Sequence, residues 1–194
     1  VKAVLASGNA GKVREFAALL AARDIEVVPQ SDFRIVTPPE TGATFLENAL
    51  LKARHAAETS GLAALADDSG IEVDALGGRP GVRSARYAGE QASDADNSNL
   101  LLQELADVAD ERRTARFRCV LVLLRAPLDA DPVVAHGVWE GRILTAPRGT
   151  GGFGYDAIFQ PEGLTLSAAE LPAARKNTLS HRAQALRALL AALT

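Results

Sequence analysis

A formal net charge of −3 over 194 residues, with a pI near 5.7, leaves no basic footprint, which argues against nucleic acid as the main partner and confines anion binding to local clusters. Hydrophobic residues at 47% and charged residues at 23% exclude a disordered chain and suit a globular one able to bury a core without staples. The lone Cys119 excludes an intramolecular disulfide framework or a CxxC metal set, and with no leader and no run of ~18 apolar residues to span a membrane, a cytoplasmic enzyme without a membrane partner is expected.

Basic residues are 17 Arg against four Lys, at positions 2, 12, 52 and 176. Lysine offers a compact point charge with three donors, as a phosphate-facing position can require. Residues 2 to 6 read as a short buried strand. Ser7-Gly8-Asn9-Ala10-Gly11-Lys12 follows as a glycine loop, then a helix to about Ala22 with Val13, Phe16, Leu19 and Leu20 on one face. Strand, glycine loop and helix together aim backbone N–H groups and a helix dipole at an anion. The spacing is not that of a Walker P-loop, so phosphate binding and an ordinary helix-entry turn both fit.

Ile25 to Val28 reads as a second strand, and the run through Pro38-Pro39-Glu40-Thr41-Gly42 as a loop. Thr44 caps the next helix, with Glu47 at the reciprocal position of a capping box. Phe45, Ala49, Ala53 and Ala56 give that helix an apolar side, while Asn48 and Lys52 stand one turn apart, facing either solvent or a ligand.

An apolar run from Leu62 to Ala66 ends in Asp67-Asp68, and Ser69-Gly70 reads as a polar turn at the strand's carboxyl end, the usual place for a ligand in an α/β sheet. Two carboxylates so close need a cation nearby, because like charges raise one pKa. Ile71, Val73 and Ala75 alternate with Glu72 and Asp74 as in a half-exposed strand. The Gly77-Gly78-Arg79-Pro80-Gly81 loop follows, with Arg83, Arg86 and Tyr87 beyond it. Asp94 to about Val108 forms a helix capped by Ser93. Arg116 to Arg125 is expected to be the longest buried strand, and Val133 to Leu144 a second one, bent at Gly137 or Gly141 and antiparallel to the first.

Four glycines around Phe153, Tyr155 and Asp156 make either a base-binding loop or a glycine turn with its aromatics in the core. Ser167 and Glu170 are spaced as the capping box of a short helix. Ser180 caps the last helix, with His181 and Arg182 against the dipole of its first turn. No repeat or linker marks a boundary, so residues 1–194 read as one domain.

Five ordered blocks together resemble the inosine triphosphate pyrophosphatase family: Ser7 to Lys12; Glu40 to Asn48 with Lys52; Asp67-Asp68-Ser69-Gly70 through Ser84-Ala85-Arg86-Tyr87; Gly151 to Asp156; and Lys176 with Ser180-His181-Arg182. Ser7 stands where many members have Thr, and Ala157 where Pro is usual; neither change removes a chemical function. The resemblance implies a mixed α/β class, with a long, strongly twisted mixed sheet and flanking helices in two lobes around a deep substrate cleft. It implies a homodimer that uses Mg²⁺ to hydrolyse dITP, ITP or XTP to the monophosphate and pyrophosphate. By the same resemblance Ser7, Gly8, Asn9, Ala10, Gly11 and Lys12 hold the phosphates, with Lys52 and Ser69 adding contacts. Glu40 and Asp68 hold the metal, with Glu47 a further acidic candidate, and Asp68 is the catalytic residue that activates water. Phe153 stacks on the base, and Gly154, Tyr155, Asp156, Lys176, His181 and Arg182 surround it, Arg182 aimed at the 6-oxo group. Asp67 is left to support the turn, and the Gly77 to Tyr87 loop to support the cleft or the dimer contact. The competing readings are a pyrophosphatase for other modified nucleotides and a nucleotide-binding module without catalysis.

Overall fold

The computed structural model describes residues 2–20 and 26–193, without the side chains of Ala18 and Leu19. The expected end of the first helix at Ala22, the place of Leu19 on its face, and Ile25 at the start of the second strand lie outside the described residues. Six strands are ordered β2-β1-β3-β4-β5-β6, where β1 is Lys2–Leu5, β2 Glu26–Pro29, β3 Ala63–Val73, β4 Thr114–Leu124, β5 Val133–Ile143 and β6 Phe159–Pro161. The helices are α1 (Ala10–Leu20), α2 (Phe45–Ser60), α3 (Asp94–Glu104), α4 (Ala173–Leu179) and α5 (His181–Ala191). β1 pairs in parallel with β2 and β3, and β5 antiparallel with β6, so the sheet is mixed, as expected.

The chain forms two compact units. The first comprises Val1–Asp68, Cys119–Gly137 and Arg182–Thr194, and the second Ser69–Arg118 and Val138–His181. The chain passes between them inside β3, β4 and β5 and at Arg182, never at a linker. Leu5, Phe16, Leu65, Leu121, Leu186 and Leu189 are buried together in the first unit, and Ile71, Leu101, Phe117, Trp139, Ile158 and Phe159 in the second. Each such side chain contributes about 1.5–3 kcal/mol by leaving water. Cys119 belongs to the first of these cores, where burial pushes its thiol up and leaves it inert.

The turn expected at Ser69-Gly70 is absent, because β3 runs unbroken from Ala63 to Val73. β1 covers its edge only as far as Leu65, opposite Leu5. Beyond that point the Gly77 to Tyr87 loop folds back and takes over. The Ile71 N–H donates to Ser84 Oγ (2.9 Å), the Val73 N–H to the Arg79 carbonyl (3.2 Å), and Glu72 bridges to Pro80. Gly77 and Gly78, at φ 64° and 89°, make this return possible. The loop therefore continues the sheet's hydrogen bonding, and the strand needs no turn.

Three other expectations change. β4 is not the longest strand, since β3, β4 and β5 each have 11 residues. α3 keeps its Ser93 cap but stops at Glu104 instead of Val108. The Leu105 carbonyl, which another turn of helix would use, accepts instead from the buried Arg113 guanidinium (2.6 Å), which also donates to the Ile143 and Leu144 carbonyls. Ser167 and Glu170 make their reciprocal bonds (2.7 and 3.2 Å) but close only a turn, and α4 starts at Ala173, after Pro172. Gly141 lies opposite Pro161 in the β5–β6 pair, and a Cβ there would stand 2.6 Å from Phe159 Cζ, so close approach of β6 is what requires glycine.

Candidate active site

The first unit gathers its charged residues where β1 ends. The chain leaves Leu5 through Ser7 and Gly8 to Asn9, whose Oδ1 accepts from the Lys12 N–H (3.1 Å) and caps α1; the Asn9 N–H donates to Ser7 Oγ (3.2 Å). Gly8, Asn9 and Ala10 are exposed, Gly11 is buried, and Lys12 is half-buried.

Because Asp67 and Asp68 lie within a strand, their side chains leave opposite faces of it. Asp67 meets α1 and α5: its Oδ2 is 2.8 Å from Lys12 Nζ and 4.0 Å from Arg182 Nε, and Arg182 Nη1 is 2.9 Å from Glu15 Oε2. Asp68 meets α2, with Oδ1 3.0 Å from Lys52 Nζ and Oδ2 accepting from Asn48 Nδ2 (3.2 Å). Lys52 also reaches Glu40 Oε1 (2.8 Å), and Asn48 Oδ1 accepts from the Gly42 N–H (2.8 Å), so α2 ties the Glu40 segment to β3.

α2 can present these polar residues because its start and its packing are independently secure. The Thr44–Glu47 capping box is complete, and Ala49, Ala53, Ala56 and Ala57 are buried along it. Glu47 accepts from the N–H groups of Ala43 and Thr44. Its Oε2 oxygen thus serves the cap.

The two aspartates differ electrostatically. Burial would push Asp67 up, but Lys12, Lys52 and Arg182 outweigh it and hold the carboxyl at about 2, permanently ionised at neutral pH. At Asp68 burial wins over Lys52 and Lys12, with Glu40 adding repulsion, and the carboxyl lies above its usual range. Asp68 is therefore the better proton acceptor of the two. Burial disfavours the Lys52 charge, yet Asp67, Asp68 and Glu40 overcome it and keep the ammonium above its usual range.

Among the described residues no three His, Cys, Asp or Glu side chains converge as a protein-made metal cage. Glu40 and Asp68, with a bound ammonium already marking where positive charge is wanted, still fit a divalent cation that takes one or two carboxylates and completes its shell with water and phosphate.

The second unit holds the glycine-aromatic loop. Asp156 Oδ2 accepts from the Phe153 N–H (2.8 Å) and from Lys176 Nζ (2.6 Å), and that ammonium lies 5.0 Å from the Phe153 ring centroid, in cation–π range. Gly152 has φ 71°, and a side chain there would run into the Asp156 carboxylate. The Gly154 N–H donates to Asp94 Oδ2 (2.7 Å) at the start of α3. Phe153 stays half-buried, its face backed by Lys176.

Two expected ligand contacts change character. Tyr155 is buried in the second core, with its hydroxyl donating to the Ser84 carbonyl (2.7 Å), so it anchors the loop. The His181 ring is 1% exposed and stacks on Phe117 (4.7 Å between centroids, 8° between planes), beside Trp139. Arg182 is held among carboxylates in the first unit, and Ser69 follows Asp68 in β3, half-buried. Sequence reasoning left Asn48 facing either solvent or a ligand and gave Glu15 and Asp94 no site role. A polar Asn one turn before Lys52 on an alanine-lined helix was the available signal for the first. Glu15, one turn after Lys12, offered a weaker one.

Residues 3–192 match the profile of the Ham1 family. The chain belongs to the Ham1 family. Its Ham1 relatives include the dITP/XTP pyrophosphatase of Vibrio cholerae, 57% identical over 192 residues covering 99% of this chain and 96% of that protein. The dITP/XTP pyrophosphatase of Shigella flexneri is 56% identical over 192 residues, covering 99% and 98%. Among solved structures, a HAM1 protein from Coxiella burnetii matches with a TM-score of 0.91 at 47% identity, covering all of this chain and 98% of that one. The nucleoside-triphosphatase, dITP/XTP pyrophosphatase, of Mycobacterium abscessus matches at 0.78 and 46%, covering 98% and 99%. Membership in the Ham1 family bears out the resemblance drawn from the five sequence blocks.

Proposed function

We propose that this Ham1-family chain hydrolyses purine nucleoside triphosphates outside the normal set (dITP, ITP and XTP) between the α and β phosphates, giving the nucleoside monophosphate and pyrophosphate. In this way it clears them from the nucleotide pool. The observation that carries the reading is the Glu40–Lys52–Asp68 constellation, with Lys52 and Asp68 buried, in a chain more than half identical to dITP/XTP pyrophosphatases.

Ser7 to Lys12 and Lys52 would receive the triphosphate, with Ser69, on the Asp67 face of β3, as a further contact. Glu40 and Asp68 would hold Mg²⁺, which when bound supplies charge neutralisation on the phosphates. Asp68, its carboxyl raised by burial, accepts the proton of the water that attacks the α phosphorus. Asp67, ionised throughout, holds Lys12 and Arg182 in place.

At the base, Phe153 would stack, contributing ~1–3 kcal/mol without regard to base identity. Discrimination then falls to donors at the base's edge. The Lys176–Asp156 pair beside the Phe153 ring is the nearest candidate, presenting an ammonium to a 6-oxo group and the same ammonium, unfavourably, to adenine's amino group. A site built around such a bond rejects the wrong partner by roughly 10⁴-fold. Arg182, committed to Asp67 and Glu15, fits the phosphate side better than the base, and His181 would act by placing it.

The reading takes residues 1–194 as one two-lobed domain, working as a homodimer in the cytoplasm without nucleic acid or membrane. No described helix is long and apolar enough to cross a bilayer. A pyrophosphate-release screen over purine and pyrimidine triphosphates, with and without Mg²⁺, tests it. Release from dITP and XTP far above that from ATP, GTP and dTTP is expected; equal turnover of dITP and dTTP, or nucleotide binding without release, overturns it.

A further inference from the structure

Lys52 stands where a metal ion would be wanted. Its ammonium lies 2.8 Å from Glu40 Oε1 and 3.0 Å from Asp68 Oδ1, with its side chain only 5% exposed. Neither carboxylate is loosely aimed: Asn48 holds the other oxygen of Asp68 and, through the Gly42 N–H, the segment that carries Glu40. Asn48 and Lys52 are neighbours one turn apart on a helix with a secured start, so the whole arrangement is preset by α2. A divalent cation seated on both carboxylates while the ammonium stays would put like charges side by side in a buried place. Lys52 must therefore give up both partners first, and it can do so only for something that replaces two charge-assisted hydrogen bonds. Phosphoryl oxygens do this. Lysine suits the exchange, since a flexible stem with three rotatable donors can pivot between partners where a planar arginine fork would stay locked.

We infer that Lys52 is the resident counter-ion of the Glu40–Asp68 pair and that a triphosphate must draw its ammonium away before these carboxylates take a divalent cation. Metal and nucleotide then bind as a pair, and the protein does not capture free metal ions between turnovers. By linkage, removing the ammonium strengthens metal binding in the absence of nucleotide. The inference rests on the reading of Glu40 and Asp68 as the metal-holding pair.

The test is Mn²⁺ binding to nucleotide-free protein, followed by titration calorimetry and by the loss of the free-ion electron paramagnetic signal. Lys52→Gln is expected to bind Mn²⁺ about tenfold or more tightly than the native protein. Lys12→Gln, which removes a site ammonium facing Asp67 instead, should stay within about threefold of native. Adding Glu40→Gln to Lys52→Gln should abolish the gain. Lys52→Met, of different polarity, should gain in the same direction; circular dichroism and thermal melts identify which variant is folded, and the folded one decides. No gain in a folded Lys52 variant overturns the inference, as does an equal gain in Lys12→Gln, which would make the effect one of overall charge. Native pyrophosphate release from dITP, measured alongside, separates the two ideas: its absence defeats the functional reading, whereas its presence without a gain in Mn²⁺ affinity defeats this inference alone.

Discussion

Asn48 gives the sharpest mutational test of the geometry, because one fully buried amide holds both the Asp68 carboxylate and the Gly42 N–H. In Asn48→Ala, the hydrogen bond to a charged acceptor, about 1.5–3 kcal/mol, is lost, and the Gly42 donor loses its partner at about 1–3 kcal/mol. Water entering the space recovers part of this, which leaves roughly 2–4 kcal/mol of destabilisation. For a chain of this length that is a fall in Tm of about 5–15 °C. The same change frees Asp68 to rotate while leaving Lys12, Lys52 and Phe153 able to hold the nucleotide. Pyrophosphate release from dITP should accordingly lose about tenfold or more in kcat, with KM changed by less than about threefold. Thermal melts and steady-state kinetics on the same preparation check both numbers. A Tm within about 2 °C of native, together with unchanged kcat, would refute the claim that Asn48 positions the acid.

Two further outcomes follow from the charge pattern. Asp67 ionises at about 2 in the folded protein, below its unfolded value near 3.8, so its contribution is complete above the higher value and is lost as pH falls through the lower. Native protein should lose on the order of 2 kcal/mol over that window in urea melts, a loss missing from the acid limb of Asp67→Asn. In Lys176→Met, which keeps bulk against Phe153 but removes the ammonium, the ratio of kcat/KM for ITP over ATP should fall by about 10²-fold or more; an unchanged ratio would remove Lys176 from base selection.

The first-unit site was legible in the sequence because its residues sit in local patterns: a glycine loop before a helix, a capping box, two carboxylates after an apolar run. What the sequence concealed was tertiary. Ser69-Gly70 reads as a turn by residue type, yet the strand continues because the Gly77 to Tyr87 loop returns to pair with it. Once Asp67 and Asp68 belong to a strand, the two-residue period alone sends them to opposite faces, and two adjacent carboxylates meet different helices. The capping role of Glu47 was legible from its spacing to Thr44, and its bonds to the Ala43 and Thr44 N–H groups show it. Tyr155 and His181 stand in motif blocks beside residues suited to a ligand, but spacing cannot distinguish an aromatic facing a base from one filling a core. Arg113 had no sequence signal, since two of its three carbonyl partners, Ile143 and Leu144, lie 30 and 31 residues away.

Asp68 carries the chemistry in this account, so the decisive experiment compares pyrophosphate release from dITP by the native protein and by Asp68→Asn with Mg²⁺ present, nucleotide affinity being measured on both by calorimetry. A fall in turnover of about 10²–10⁴-fold, with affinity held within about tenfold, is the expected result. Undiminished hydrolysis by Asp68→Asn would contradict it.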